Sequence, residues 1–217
     1  VTEASANDSS TSCEAIVLAA GASSRLSSRG GSSGGSSKAL LRLAGQTLLE
    51  RTIDAVRGAG ASPLVVLGAD AERVRLHTDG ARVLINPQWA QGMGTSIAWG
   101  MAALDETTER VLVLAVDQPR VDADLLAELI EACDESVDAA ATRYANGVVG
   151  VPACFRRSLF GQLSALDGDR GARRLLRSGE HRIAEVAADG AGVDIDTRKQ
   201  WRAFLDQYDD EDHGGRR

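Results

Sequence analysis

Aromatic side chains are scarce in this chain: three Trp, two Tyr and three Phe make up 4% of 217 residues. Hydrophobic residues reach 43%, so the core has to be built from Ala, Val, Leu and Ile. At this length it suits one α/β domain with a substantial interior. No apolar run approaches the roughly 20 residues that cross a bilayer, which excludes a membrane-spanning helix and a membrane partner of that kind. Positive charge is also short, with 24 Lys and Arg against 31 Asp and Glu and a net charge of −7. That balance argues against general nucleic-acid binding, which depends on neutralising phosphates. Cysteine is limited to Cys13, Cys133 and Cys154, an odd and scattered set without metal-ligand spacing, read as reduced structural thiols. Two nucleotide fingerprints are missing. There is no GxxxxGK[ST] and no GxGxxG, so neither a Walker loop nor a dinucleotide fold is spelled out. The opening VTEASANDSSTS is polar and has no apolar signal region. Residues 1–13 are therefore expected to be disordered and the protein cytoplasmic.

What is present centres on EAIVLAAGASSRLSSRGGSSGGSSK, Glu14 to Lys38. Ala15–Ala20 is a short continuous apolar run, the pattern of a strand buried on both faces of a parallel sheet. Gly21 ends it and a Gly/Ser loop follows, carrying Arg25, Arg29 and Lys38. A glycine at the end of a buried strand lets a ligand approach the backbone, and successive N–H groups in such a turn form an anion-binding concavity. Arg25 and Lys38 supply the full positive charges that a triphosphate needs. An ordinary strand followed by a plain loop is the competing reading of these residues.

Further along, Thr47–Val56 shows helical spacing with Leu48, Leu49, Thr52, Ile53 and Val56 on one face. Pro63–Gly68 and Ala81–Asn86 read as strands, with a polar helix over Ala71–His77 between them. Asn86 to Met101, NPQWAQGMGTSIAWGM, opens as a loop with Gly92 and Gly94, and its helix is expected from about Thr95. Val111–Val116 is the most apolar strand and delivers Asp117-Gln118-Pro119 at its carboxyl end, where ligands bind in open α/β sheets. Asp122 caps a helix running to about Cys133. Asp138–Tyr144, Val148–Phe155, Ile183–Val186 and Val193–Ile195 read as extended pieces, Arg156–Leu163 as a short helix, and Thr197–Gln207 as the closing helix. Asp209–Arg217 is expected to be a charged, solvated tail. Strands alternating with helices predict a single-domain, doubly wound, mostly parallel sheet over residues 14–208.

LAAGASSRL followed by a lysine, then NPQWAQGMGTSIAWGM, DQP, GVVGVPACF, GDRGAR and DIDT, stand in the order found in molybdenum cofactor cytidylyltransferases. The chain resembles these MobA-like nucleotidyltransferases from about Ala15 to Phe204. The resemblance implies a Rossmann-like nucleotidyltransferase fold. It also implies transfer of CMP from CTP to molybdopterin with release of pyrophosphate. Relatives that use GTP usually read LAGG, so LAAG at Leu18–Gly21 points to CTP. An apo molybdenum hydroxylase is an implied further partner.

On that reading Leu18, Ala19, Ala20, Gly21 and Ser96 meet the nucleotide. Arg25 and Lys38 clamp the triphosphate and stabilise the leaving pyrophosphate. Asp117 holds Mg²⁺, a hard cation that prefers carboxylate, water and phosphate oxygens. The DID of Asp194–Asp196 supplies a second carboxylate. In a strand the two would point to opposite faces; the resemblance favours Asp196, and capping of the last helix is the competing use. Gly92, Asp169 and Arg173 fall on the acceptor side, with helix capping or surface ion pairing as their plainer readings. Trp89 and Trp99 suit a pterin pocket or the core. Two departures stand out: twelve residues, Leu26–Ser37, separate the loop arginine and lysine, and Arg198-Lys199 replaces Pro-Glu after DIDT. The insertion is expected to close on the nucleotide. Three alternatives remain: a sister transferase using GTP or another acceptor, a nicotinamide- or flavin-dependent reductase, and a non-catalytic cofactor carrier.

Overall fold

The computed structural model of the chain describes residues 12–22, 37–188, 190 and 192–214. Strand β1 (Cys13–Ala19) lies in the middle of a seven-stranded sheet and is buried along its whole length. A small hairpin follows, β2 (Arg42–Leu43) and β3 (Gln46–Thr47), and leads into α1 (Leu48–Gly58). Thr47 caps α1 through a reciprocal exchange with Glu50: its hydroxyl accepts from the Glu50 N–H while the Glu50 carboxylate accepts from the Thr47 N–H. The chain continues through β4 (Ser62–Leu67), the short α2 (Ala71–Val74), β5 (Arg82–Ile85), α3 (Met93–Met101) and β6 (Arg110–Ala115). It then forms α4 (Ala123–Ala132), β7 (Ala139–Arg143), β8 (Val149–Arg156), α5 (Phe160–Ser164), α6 (Arg173–Leu176), β9 (Ile183–Ala187) and α7 (Arg198–Gly214).

The sheet order is β5-β4-β1-β6-β8-β7-β9. All neighbours are parallel except at β8, which runs against both β6 and β7. The mostly parallel, doubly wound expectation holds. Alternation along β1 sorts its side chains to two cores. Ala15, Val17 and Ala19 face a layer containing Leu49, Ile53, Val56, Leu126 and Leu129 of α1 and α4. Ile16 and Leu18 face Ile97, Met101, Leu163 and Leu176 of α3, α5 and α6. The three cysteines, far apart in sequence, are all free thiols buried in the first of these layers, and Cys133 Sγ donates to the Cys154 carbonyl at 3.4 Å. A third cluster packs Phe204 and Trp201 of α7 over Leu43, Leu48 and Ile195.

Two expectations are corrected. Val193–Ile195 forms no strand and joins no sheet: β9 already covers the edge of β7, and the Ile195 N–H instead donates to the Asp117 carbonyl just beyond β6. The last helix does not stop near Gln207 but continues as helical backbone to Gly214. Polarity marks this stretch as solvated, but a solvated helix needs no apolar face at its end, so charge alone does not stop it.

One buried charge stands apart from the apolar layers. Glu14 in β1 is 4% exposed, yet both of its carboxylate oxygens are hydrogen-bonded. Arg82 donates to it at 2.6 Å, the Asp105 N–H at 2.8 Å, and the Thr108 hydroxyl through a short bond. Truncating one member of such a network strands the others, because buried donors lose an ionic acceptor. We expect Glu14→Ala to lower unfolding free energy by about 3 kcal/mol in urea titrations. A loss below about 1 kcal/mol would show that Arg82, which is half-exposed, re-solvates without cost.

Candidate active site

In the sheet order β1 connects onward to β4 and β5 on one side, while β6 lies against its other side. The order therefore reverses between β1 and β6, and open α/β sheets bind ligands in the crevice at such a point, beyond the carboxyl ends of the strands. A cavity of about 430 Å³ opens there. Its walls include Leu18–Ala22 after β1, Ala115–Asp117 after β6, Lys38, Ser96 and Asp196. A second cavity of about 350 Å³ adjoins it. The two share Leu18, Met93, Ala115, Asp117, Asp169 and Asp196.

At the shared boundary stands an ionic cluster. The Lys38 ammonium donates to Asp117 Oδ2 at 2.9 Å and to Asp196 Oδ1 at 2.6 Å. Burial alone would pull the Lys38 pKa down. The charge of Asp117 and the hydrogen bonds to Asp196 and Asp117 outweigh it, and the pKa is raised above the ordinary lysine value. The local backbone explains the convergence. Asp117 follows β6 directly, and its carbonyl accepts from the Ile195 N–H at 2.9 Å. With Ile195 fully buried, the segment is pinned at that point and its flanking side chains diverge. Asp196 meets Lys38, and Asp194 Oδ1 accepts from Gln118 Nε2 at 3.1 Å. Asp194 thus takes a different partner from Asp196, although both carboxylates line the second cavity. Burial first, then the charge of Asp117, pushes the Asp194 carboxyl above the usual carboxylate range, partly offset by Gln118 and Arg173. Helix capping falls to Thr197, whose hydroxyl accepts from the Gln200 N–H. Asp196 is released from that role.

Of the residues proposed from sequence, Leu18, Ala19, Ala20, Gly21, Lys38, Gly92, Ser96, Asp117, Asp169 and Asp196 all line the first cavity. Arg173 lines only the second. Arg25 and most of the Leu26–Ser37 insertion lie outside the described residues, and Ser37 itself is buried beside Lys38. Trp89 lines the first cavity, whereas Trp99 lines neither.

Gly92 and Gly94 have a structural reason that sequence reasoning did not supply. α3 begins at Met93, ahead of the expected Thr95, and its start docks against the Asp167–Arg170 loop through Gly94 N–H to Gly168 O at 2.8 Å. A Cβ on Gly92 would sit 2.3 Å from the Gly168 carbonyl carbon, and one on Gly94 2.6 Å from Arg170 O. These glycines let two loops meet, and Asp169 in the second of them lines the cavity. Asn86 was also missed as a site residue. It is fully buried, its Nδ2 donates to Thr95 Oγ1 and Ser96 Oγ at 3.0 Å each, and its Oδ1 accepts from the Gln88 N–H. It sets the position of Ser96. The only signal was an Asn before Pro at a strand end.

Asp117 and Asp196 also fit a divalent cation. Both already close on one positive charge, and their oxygens are the hard donors that Mg²⁺ or Mn²⁺ takes. Among the described residues no group of three or more His, Cys, Asp or Glu gathers to hold a metal. Two carboxylates would leave the other positions to water and phosphate oxygens, the usual arrangement for a metal that arrives with a nucleotide.

Comparison with known proteins agrees with this geometry. Residues 15–185 match the MobA-like NTP transferase domain family. The chain is 31% identical over 204 residues to nicotine blue oxidoreductase of Paenarthrobacter nicotinovorans, covering 88% of this chain and 95% of that protein. Among solved structures, Rv0371c of Mycobacterium tuberculosis H37Rv in complex with manganese superposes with a TM-score of 0.75 at 31% identity. That match covers 90% of this chain and 99% of the other. A nucleotidyl transferase from Methanothermobacter, Mth528, superposes with a TM-score of 0.73 at 25% identity, covering 91% and 97%.

The loop joint makes a prediction. Gly92 has φ +126°, a conformation that strains any side chain, in addition to the backbone clash. Gly92→Ala should cost at least about 2 kcal/mol in thermal or urea unfolding, and amide exchange across Asp167–Gly171 should accelerate. Wild-type stability with unchanged exchange would mean the two loops are not docked as described.

Proposed function

The chain belongs to the MobA-like NTP transferase family, and from that premise we propose that it transfers CMP from CTP to molybdopterin, with Mg²⁺ held by Asp117 and Asp196. The observation that carries this reading is the Lys38–Asp117–Asp196 cluster at the junction of two cavities. Nucleotidyl transfer needs two substrates to meet at one phosphorus with charge neutralised around it. A first cavity walled by the Leu18–Gly21 turn and Lys38 suits the nucleotide, and the adjoining one suits the acceptor.

In the proposed reaction a phosphate oxygen of the acceptor attacks the α-phosphorus of CTP. The new P–O bond forms as the bond to the bridging oxygen breaks, and its electron pair leaves with pyrophosphate. Lys38 donates to oxygens of that leaving group. The Leu18–Gly21 backbone and Ser96 orient base and sugar, and the small Ala20 side chain leaves room for cytosine to be read by backbone groups. The bound metal would neutralise charge on the α-phosphate and leaving group.

The relative named nicotine blue oxidoreductase favours one other reading, a reductase. The strand–glycine–loop start permits a redox cofactor, but no GxGxxG is present, and a lysine between two carboxylates has no evident role in hydride transfer. Pyrophosphate release measured with each NTP and purified molybdopterin, beside NADH and NADPH oxidation with quinonoid dyes, separates the two. Turnover of a nicotinamide with no pyrophosphate from any NTP would overturn the transferase reading.

Two outcomes are expected. Asp117→Asn should keep the fold and lower metal-dependent transfer at least ~100-fold, about 2.7 kcal/mol of transition-state stabilisation; near-normal turnover with unchanged metal dependence would remove Asp117 from the site. CTP should be preferred over GTP at least about tenfold in kcat/KM, the worth of one pocket contact. Equal use, or a preference for GTP, would remove the cytidylyl assignment and leave the transferase class standing.

A further inference from the structure

Two of the three charged residues at the centre of the site stand outside the sheet. Asp117 follows β6 directly, but Lys38 opens a single helical turn, Lys38–Leu40, and Asp196 belongs to a segment that forms no strand. Ion pairs between partly exposed groups are worth too little to impose a geometry on such segments. The order has to come from packing, and α7 supplies it at three points. Its first turn takes hold of the Asp196 backbone: Gln200 Oε1 accepts from the Asp196 N–H at 3.0 Å and from the Thr197 N–H at 2.8 Å. One turn further on, Phe204 is 3% exposed and belongs to a cluster with Ile195, the neighbour of Asp196. The same cluster includes Leu41 and Leu43, which follow Lys38 in the chain. The Arg120 guanidinium lies over the Phe204 ring, 5.6 Å from its centre, a cation–π contact that ties in the chain just after Asp117-Gln118-Pro119. Trp201 stacks on that ring with centres 5.7 Å apart.

This cluster is separate from the two apolar layers that cover the sheet. Phe204 and Gln200 line neither cavity, so they act on the chemistry only through the residues they hold. We propose that α7 is the positioning element of the Lys38–Asp117–Asp196 cluster, with Gln200 and Phe204 as its positioning residues. In taking that cluster as the reacting centre, the proposal rests on the transferase reading. A misplacement of about 1 Å far from the chemistry can cost on the order of 100-fold in rate. Residues that support metal-binding carboxylates typically change metal affinity about 10- to 100-fold. Loosening α7 should therefore disorganise the cluster while the sheet beneath it stays folded.

Lysine acetylation tests the placement without nucleotide or turnover. Lys38 and Lys199 are the only lysines in the chain. Lys199 is exposed and reports the rate of an open amine, whereas the Lys38 side chain is 17% exposed and ion-paired. The full-length protein is treated with an N-hydroxysuccinimide ester of acetate and both sites are followed by mass spectrometry. Phe204→Ala and Gln200→Ala should each speed acetylation of Lys38 relative to Lys199 at least about fivefold. Both should weaken Mn²⁺ binding, measured by electron paramagnetic resonance, at least about tenfold. Phe204→Leu, which keeps an apolar side chain of similar reach, should recover most of both properties. Leu163→Ala leaves a cavity in the separate layer against α3; it should lower the unfolding temperature and move neither readout. Wild-type protection of Lys38 in folded Phe204→Ala and Gln200→Ala overturns the inference, as does an equal rise in Leu163→Ala. Pyrophosphate release by the wild type would then still uphold the transferase reading. If the variants expose Lys38 but the wild type releases no pyrophosphate from any NTP, the positioning stands and the transferase reading fails. Should Phe204→Ala not fold, Gln200→Ala, a change at an exposed residue, decides by the same comparison.

Discussion

The Lys38 ammonium between Asp117 and Asp196 is the contact on which the site depends. It joins residues 79 and 158 positions apart, so it exists only when three regions of the chain are in place together. β6 delivers Asp117, the buried Ile195 anchors Asp196, and the turn after Ser37 delivers Lys38. Its contribution to stability is modest, because desolvating three charges offsets most of their attraction. A cluster that is costly to bury and sits at the mouth of two cavities is better explained by chemistry than by folding. The fold supplies rigidity around it: β1 and β6 are locked into the centre of the sheet, and each of their faces is covered by a separate apolar layer.

Much of this frame was legible in the sequence because buried parallel strands are continuous apolar runs. Ala15–Ala20 and Val111–Val116 stood out for that reason, and with them the position of Asp117. Alternation within a strand was the sequence argument for separating Asp194 from Asp196, but Val193–Ile195 forms no strand and both carboxylates line the second cavity. What periodicity could not reveal was contact between distant loops. Gly92 and Gly94 look like ligand-approach glycines in sequence, yet their missing side chains make room for the backbone at Gly168 and Arg170. Asn86 reads as the start of a loop, and its role in holding Ser96 appears only when α3 folds back against the end of β5.

The charge balance at the centre has a consequence for how a nucleotide enters. Among the described residues two carboxylates meet the Lys38 ammonium there, in a chain carrying net negative charge. A bare triphosphate approaching Asp117 and Asp196 would meet their carboxylates close by, in a crevice where low-dielectric walls strengthen the repulsion. A triphosphate that carries a divalent cation presents its positive centre to the same two carboxylates. On the proposed reading Asp117 and Asp196 would hold that cation, and the Lys38 ammonium would then meet phosphate oxygens. Both changes favour one arrangement: carboxylate against metal and lysine against phosphate. On the proposed reading the cluster would favour a nucleotide that carries its metal over one that does not, before any base is read.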